Sequence, residues 1–342
     1  MKHRKIGVLL LAILLISGSV FAGGGNRNGT AGATQLLIPV GARGIAMSGA
    51  TLTNAEGIDA MFWNPANLAR SSNSVEAVFS HMDHIADIGV AYGAVAAKVG
   101  TLGTVALSIK SLDIGDIPTT TVTKPDGTGA FYTPSFVTLG LTYSTALSDR
   151  IAVGLTLNYI SEEIDQVSTS GVAFNIGISY MNLANIDGFS FAIVIKNLGP
   201  QLKYNGAGLN VTADVPSFNR PNQYYRIDAA SFELPSTLEI GLGYQYDINE
   251  YNKLQFSGSF ENANFFEDEY RFGAEYAYND MVFLRGGYSY MPQLDENARI
   301  YGLTAGFGVK YNMGGVDLKI DYAYREVEYF DASHMFSVGV GL

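Results

Sequence analysis

The stretch LEIGLGYQYD, residues 238–247, alternates large apolar side chains with small or polar ones at every second position. One face would carry Leu238, Ile240, Leu242, Tyr244 and Tyr246, and the other Glu239, Gly241, Gly243, Gln245 and Asp247. A period of two is that of a β-strand, whose successive side chains point to opposite faces. The stretch therefore predicts a strand with one apolar and one polar face.

The same alternation recurs along the chain and predicts fourteen strands. We place them at residues 75–82, 88–99, 102–112, 136–147, 150–161, 171–181, 188–197, 237–247, 253–261, 269–278, 281–291, 298–311, 315–325 and 333–342. Most are about as long as the ~9–11 residues that a tilted strand needs to cross a bilayer. The number of strands is even, as in single-chain bacterial outer-membrane barrels.

A soluble β-sandwich also has one apolar and one polar face, so alternation alone does not choose the architecture. Strand length, a polar face rich in small residues and tyrosines near strand ends favour a membrane barrel. The connections after even-numbered strands are short, whereas the long segments 113–135 and 198–236 follow odd-numbered strands. That asymmetry is typical of an outer-membrane barrel with both termini in the periplasm. We therefore predict an all-β fold in which residues 74–342 form a 14-stranded antiparallel transmembrane β-barrel.

The first 22 residues predict export to the cell outer membrane. A basic start at residues 2–5 precedes an apolar run at residues 6–16, and Ala22 fits a signal-peptidase site. The chain contains no Cys, which excludes disulfides and a lipidated N-terminal cysteine. Its net charge of −11 argues against nucleic acid as a partner. We expect residues 1–22 to be a signal peptide and the mature barrel to contact outer-membrane lipid.

Residues 23–73 interrupt the strand pattern. The stretch GARGIAMSGATLTNAEGIDAMFWNPANLAR, residues 41–70, predicts two short helices separated by a turn near Thr53 and Asn54. Pro65 disfavours helix at the residue before it, so the second helix is expected to end near Trp63 and lead into the first strand. The segment is too polar for lipid and too apolar for free solvent. We therefore predict a helical hatch inside the lumen, with Trp63 as a packing anchor.

Two motifs in this segment carry a family resemblance. GARGIAMSGA (41–50) and AEGIDAMFWNPANLA (55–69) resemble the hatch of the FadL-like superfamily of outer-membrane proteins and, more closely, its PorV/PorQ family. VIKNLGPQLKY (194–204) and LPSTLEIGLGY (234–244) are also similar to that family. The resemblance implies a hatch whose motif positions are Gly41, Arg43, Gly44, Met47, Trp63, Asn64, Pro65, Ala66 and Leu68.

The resemblance implies a partner-binding barrel as the main function hypothesis. PorV/PorQ barrels serve type IX secretion, so the expected partners are secreted cargo proteins or subunits of such a secretion system. The long loops 113–135 and 198–236, together with an opening in the hatch or wall, would contact them, unless the side chains of loop 198–236 only cap the barrel. The residue types enriched at interfaces in this loop are Tyr204, Phe218, Arg220, Tyr224, Tyr225 and Arg226. The alternative is FadL-like transport of hydrophobic small molecules across the outer membrane, and a purely structural barrel is the third hypothesis.

No catalytic, cofactor or metal site is predicted, and the protein is not expected to be an enzyme, because the sequence has no nucleophile, phosphate-loop or metalloprotease motif. His81, Asp83 and His84 are a candidate metal site, and residues 267–269 and 294–297 are candidate Ca²⁺ sites, but ordinary loop charges are the preferred interpretation. Charges on the strands must face inward or lie near a rim, because Arg or Lys facing the bilayer midplane costs ~2–4 kcal/mol. These charges are Glu239, Arg271, Glu275, Arg285, Asp317, Lys319, Asp321 and Arg325. They could line a permeation path, although a paired network that holds the hatch is preferred.

Overall fold

A computed structural model describes residues 27–213, 223–294 and 298–342, so the predicted signal peptide lies outside the described residues. Fourteen long antiparallel strands form the wall of a barrel. They are β1 (Val75–Asp83), β2 (Gly89–Lys98), β3 (Thr104–Asp113), β4 (Ser135–Ala146), β5 (Ile151–Ile164), β6 (Val167–Tyr180), β7 (Phe189–Leu198), β8 (Thr237–Asp247), β9 (Asn252–Ala263), β10 (Glu269–Tyr278), β11 (Val282–Tyr290), β12 (Tyr301–Met313), β13 (Val316–Val327) and β14 (Ser333–Gly341). Each strand pairs with its sequence neighbours, and β14 pairs with β1. The predicted 14-stranded barrel is confirmed.

Side chains alternate between the interior and the outer surface of the barrel. In β14, Phe336, Val338 and Val340 are exposed, whereas Met335 and Ser337 are buried. Such an outward apolar band is the face that a transmembrane barrel presents to lipid. The inward face is filled by small and polar side chains and by the N-terminal segment described below. The side chains of Arg271, Arg285 and Lys319 are also largely buried, as their cost against lipid predicted.

The two rims of the barrel differ in the length of their connections. After even-numbered strands the longest connection is residues 181–188, and we call this side the short-turn rim. The opposite side carries segments 114–134 and 199–236 and is called the long-loop rim. The bounds predicted for β5 and β6, residues 150–161 and 171–181, imply a longer connection between these strands than the structure has, so that prediction is wrong. The two strands extend to Ile164 and from Val167, so only Asp165 and Gln166 connect them. Asp165 adopts the left-handed conformation that such a tight hairpin requires.

Short elements add to the loops and rims. Three strand pairs are Ile117–Pro118 with Phe131–Tyr132, Leu202–Lys203 with Ser231–Phe232, and Asn210–Ala213 with Gln223–Arg226. Asn205–Gly206 pairs with the start of β6, and helical turns occupy Ile85–Asp87, Leu183–Asn185 and Ala207–Leu209.

Strand pairing in the wall is interrupted between β6 and β7. Leu198, the last residue of β7, pairs with Phe174, so residues 169–173 of β6 have no strand partner on that side in the described chain. Asn197 has a φ of 59°, and its backbone N–H donates to Oδ1 of Asn175 at 2.8 Å. The chain then turns inward, and Leu202 packs against Gly171 inside the barrel. The wall is therefore completed here by a loop rather than by a strand.

The N-terminal segment, residues 27–74, packs against the inward face of the wall. Its helical elements are Thr34–Leu37, α1 (Ala42–Ala46), Gly57–Ala60 and Pro65–Arg70. The α1 helix contacts β11 to β14, and Pro65–Arg70 contacts β4, β5 and β6. The described residues contain no helix that is both long and apolar enough to cross a membrane.

Pro65 acts differently from its predicted role. Rather than leading the chain straight into β1, it begins a further helical turn, Pro65–Arg70. The Asn64 side chain caps this turn by accepting a hydrogen bond from the N–H of Ala66 at 3.1 Å. Proline favours this position because its fixed φ and its missing N–H suit the first residue of a helix.

Candidate functional site

A cavity of about 490 Å³ lies between the N-terminal segment and the long-loop rim. Its volume is in the range of sites that bind small molecules, which is roughly 300–1,000 Å³. One side is apolar and is formed mainly by the N-terminal segment. The apolar side chains that line it are those of Leu36, Ile38, Ile45, Phe62, Trp63 and Phe266. The cavity therefore offers a largely hydrophobic surface inside the lumen.

Trp63 forms part of the cavity wall and is held by the glycines of the GARGIAMSGA motif. A Cβ atom on Gly44 would overlap the indole ring, and one on Gly49 would lie 2.8 Å from Cζ3 of Trp63. The ring of Phe62 packs edge-on against the indole with centroids 5.0 Å apart. Only glycine leaves room for this close approach. The indole is 4% exposed, which agrees with its predicted role as a packing anchor.

The remaining motif residues dock onto glycines of the wall. Asn64 donates from Nδ2 to the carbonyl of Leu52 at 2.9 Å. A Cβ on Gly177 of β6 or on Gly154 of β5 would overlap the Asn64–Pro65–Ala66 segment. Gly41, with a φ of 85°, caps α1, and Leu68 is fully buried. Met47 packs against Gly273 and Gly287 of β10 and β11.

A chain of alternating charges connects the N-terminal segment to the wall on one side of the barrel. In order, it consists of Arg43, Glu275, Arg285, Asp321, Lys319 and Asp59. Arg43 contacts Glu275 through two hydrogen bonds of 2.9 and 3.0 Å, and Lys319 contacts Asp59 at the other end. Both terminal members, Arg43 and Asp59, belong to the N-terminal segment. These contacts agree with the interpretation of the inward charges as a paired network.

A second ionic cluster lies on the polar side of the cavity. Arg271 is held by Glu261 and Glu269 at 2.5 Å each and by Glu239 at 3.5 Å. Glu239 also pairs with Lys196 at 2.7 Å. The cluster faces the same cavity that the aromatic residues line, which gives the site one polar and one apolar side. Asp317 is separate from it and pairs with Lys310 near the short-turn rim at 2.9 Å.

The structure does not assemble the candidate metal sites. His81 lies 3.3 Å from Asp83, but His84 turns away and accepts a hydrogen bond from Nη2 of Arg325 at 3.2 Å. In residues 267–269, Glu267 accepts from Asn28, Asp268 from Asn262, and Glu269 pairs with Arg271. Residues 295–297 of the other acidic cluster lie outside the described chain. Among the residues that are described, no group of three or more His, Asp or Glu could hold a metal ion.

The environment of His84 predicts that the stability of the folded protein depends on pH. Burial, followed by the positive charge of Arg325, lowers the pKa of His84 to about 4. Between about pH 6.5 and 4 the unfolded chain therefore binds more protons at this residue, and stability falls as the pH drops through that window. We expect the urea midpoint to fall in the same window, and His84→Gln to reduce the fall.

The control for this experiment is His81→Gln, which changes an exposed histidine three residues away in the chain. Urea titrations in detergent micelles between pH 7 and pH 4 compare the two variants with the wild type. An identical fall in the His84→Gln variant would show that the Arg325 contact does not require neutral His84.

The predicted partner-binding residues that the structure describes do not all lie on one surface. Tyr204 is turned towards the interior, where its hydroxyl donates to Glu162 and its ring packs edge-on to Phe232 at 6.2 Å. It is therefore unsuited to contact a protein outside the barrel. Tyr224, Tyr225 and Arg226 are exposed on the hairpin strand Gln223–Arg226, whereas Phe218 and Arg220 lie outside the described residues.

Comparison with known proteins adds the class of fold. No family model and no curated protein matches the chain. Solved structures do match it. The CymD monoaromatic hydrocarbon channel is 14% identical over 89% of this chain and 97% of its own, with a TM-score of 0.51. The Pseudomonas putida toluene transporter TodX is 12% identical over 88% and 96%, with a TM-score of 0.52. A Pseudomonas aeruginosa FadL homologue is 10% identical over 89% and 98%, with a TM-score of 0.54.

The chain has the fold of the FadL-like outer-membrane barrels. At these identities the similarity shows the fold alone. Membership of the FadL-like superfamily and of its PorV/PorQ family stays a prediction.

Sequence reasoning named the motif residues but missed most of the cavity. Leu36 and Ile38 precede the recognised motif, and Ser289 is one of many small inward residues on the strands. The sequence did contain a signal for the polar side of the cavity, because Glu261, Glu269 and Arg271 occupy strand ends next to the long-loop rim. Only their pairing across β9 and β10 places them together.

Proposed function

We propose that this protein is an outer-membrane channel for hydrophobic small molecules. In this proposal the long-loop rim faces the exterior, both termini face the periplasm, and residues 27–74 act as the hatch. The observation that carries the proposal is the cavity of about 490 Å³ between the hatch and the long-loop rim. Its apolar side, formed by Leu36, Ile38, Phe62 and Trp63, suits a ligand without charge.

The similar solved structures support this class of substrate. CymD is described as a monoaromatic hydrocarbon channel and TodX as a toluene transporter. Aromatic rings pack well against other aromatic rings in edge-on or offset geometry. The edge-on pair of Phe62 and Trp63 provides such a surface in the cavity. We therefore take a monoaromatic hydrocarbon such as toluene as the first substrate to test.

The N-terminal segment leaves little space around Phe62 on the side away from the main cavity lining. A space of about 10 Å³ lies there among Gly41, Ile58, Asp59, Phe62 and Tyr92. A single water molecule needs roughly 10–15 Å³, so this space does not admit a hydrocarbon. We therefore propose that transport through the lumen requires the hatch to move.

Filling the cavity tests the proposal. Ser289 of β11 is buried and lines the cavity, and its hydroxyl makes no hydrogen bond within the described chain. We expect Ser289→Trp to reduce uptake of radiolabelled toluene into proteoliposomes to the level of liposomes without protein. The matched control is Leu303→Trp, which adds an indole on the outer surface, where Leu303 is 61% exposed.

A heat-shifted band in SDS gels shows that both variants have folded. Equal uptake by wild type and Ser289→Trp would argue that the cavity is not on the transport route. Absence of toluene uptake by the wild-type protein would overturn the proposal itself.

The secretion hypothesis has less support. It rests on the sequence resemblance, whereas the similar solved structures named above are two hydrocarbon channels and a FadL homologue. Of the six loop residues expected to bind cargo, the described part of the chain exposes Tyr224, Tyr225 and Arg226 and turns Tyr204 inward.

A further inference from the structure

A second cavity, of about 40 Å³, lies inside the barrel next to the six strands β2 to β7. Hydroxyl and amide groups form much of its wall, and they belong to Ser108, Thr138, Thr142, Thr156, Asn158 and Asn175. Its charged lining groups are the ammonium groups of Lys110 and Lys196. No carboxylate lines this cavity in the described part of the chain. It is therefore positively charged, in contrast to the carboxylate-rich side of the main cavity.

Lys110 is a buried amino group with no carboxylate partner in the described chain. Its side chain comes from β3, and the residue is 5% exposed. Nζ donates to the carbonyl oxygens of Gln35 at 2.7 Å and Ile38 at 3.0 Å, and it lies 5.1 Å from the centroid of the Phe62 ring. These contacts supply partial charges only, and the described residues place no carboxylate within ion-pair distance. A buried charge is unfavourable unless a counter-charge balances it.

The nearby charged residues do not balance Lys110. Glu239 is already engaged by two cations, because it pairs with Lys196 at 2.7 Å and contacts Arg271 at 3.5 Å. Glu162 is an inward carboxylate of β5, but it lies beyond Ile160 towards the long-loop rim and accepts a hydrogen bond from Tyr204. Neither Glu162 nor Glu239 lines the small cavity. One positive charge therefore remains without a partner.

Thr138 provides a second indication of a bound ligand. It is the register partner of Lys110 on the neighbouring strand β4. Its hydroxyl is buried, lines the cavity and has no hydrogen-bond partner among the described residues. Buried hydroxyl groups normally have a partner. A space of 40 Å³ exceeds the roughly 10–15 Å³ that one water molecule requires, so a halide ion also fits.

We propose that the small cavity binds a compact monovalent anion, such as chloride, between the ammonium group of Lys110 and the hydroxyl of Thr138. The anion balances the charge of Lys110 and accepts the unused hydroxyl proton. Because Lys110 also holds the carbonyl groups of Gln35 and Ile38, the bound anion stabilises the position of the hatch. The site is distinct from the main cavity, and Leu36, Phe62 and Lys196 lie between the two because they line both.

Bromide is the probe for this site. Crystals of the full mature protein grown in sodium bromide should show an anomalous peak within hydrogen-bond distance of Lys110 Nζ and Thr138 Oγ1. Lys110→Met, which keeps the length of the side chain, should abolish the peak, and Thr138→Val should weaken it. The absence of a peak in wild-type crystals would overturn the proposal, because Lys110 would then be neutral or surrounded by water only. A peak that persists in Lys110→Met would also overturn it.

Thermal unfolding provides a second measurement that does not need crystals. A ligand that binds only the folded protein raises Tm once its concentration exceeds its Kd. We expect wild-type protein in detergent to unfold at a higher temperature in sodium chloride than in sodium gluconate of equal ionic strength. Lys110→Met should lose this difference, while the control Lys253→Met, at the short-turn rim, should keep it. Equal Tm values for the wild type in both salts would contradict the proposal, whatever the toluene uptake.

Discussion

Replacing Glu275 with glutamine is expected to lower the free energy of unfolding by ~3–5 kcal/mol, because it removes one partner of a buried ion pair. Glu275 lies between Arg43 of the hatch at 2.9 Å and Arg285 of β11 at 2.5 Å. Arg285 keeps Asp321 as a partner, whereas Arg43 loses its ion pair. The substitution should therefore release the hatch before it unfolds the wall.

Trp63 allows release of the hatch to be measured separately from unfolding of the wall. It is the single tryptophan of the chain, and it lies in the hatch. In urea titrations its fluorescence reports on the hatch, and circular dichroism reports on the strands. We expect the two transitions to separate in Glu275→Gln, with the fluorescence change at lower urea.

Two further variants control for the cause of this effect. Asp317→Asn breaks an ion pair near the short-turn rim and should cost no more than ~1 kcal/mol, as for exposed pairs. Adding Arg43→Met to Glu275→Gln should recover part of the loss, because it removes the unpaired buried charge. If Glu275→Gln and Asp317→Asn had the same effect, the charge chain would not hold the hatch.

The wall of the barrel was predictable because each strand is constrained on both faces. Lipid requires apolar residues on one face, and the filled lumen requires small or polar residues on the other, so the period of two extends over whole strands such as β8. The end of β5 was harder to predict. The segment 161–171 mixes polar residues with Gly171, and a tight turn at Asp165 is not visible from alternation alone.

The charge chain and the cavities were only partly predictable. Glu275 and Arg285 are register partners on adjacent strands, so strand pairing brings them together. Arg43 reaches Glu275 from 232 residues away in the chain, which no local pattern indicates. A cavity depends on where side chains fail to fill space. The space beside Lys110 therefore appears only when six strands and the hatch are placed together.

Locking the hatch to the wall is expected to have the largest effect on transport. The hydroxyl oxygens of Ser48 in the hatch and Thr304 on β12 are 2.9 Å apart. Cysteines at these two positions are therefore within reach of a disulfide. Because the natural chain has no Cys, the double variant Ser48→Cys, Thr304→Cys can form only this bond within the chain. Oxidation should reduce toluene uptake to the level of empty liposomes, and a reductant should restore it.

The wall itself offers a matched control for the lock. Leu141 of β4 and Leu157 of β5 are register partners on the outer surface of the barrel, where both side chains are exposed. The double variant Leu141→Cys, Leu157→Cys places a disulfide between two strands and leaves the hatch and both cavities unchanged. Its oxidation should leave uptake unchanged. Undiminished uptake through the oxidised Ser48–Thr304 lock would overturn the requirement for hatch movement and direct attention to the wall at residues 169–173, where strand pairing is interrupted.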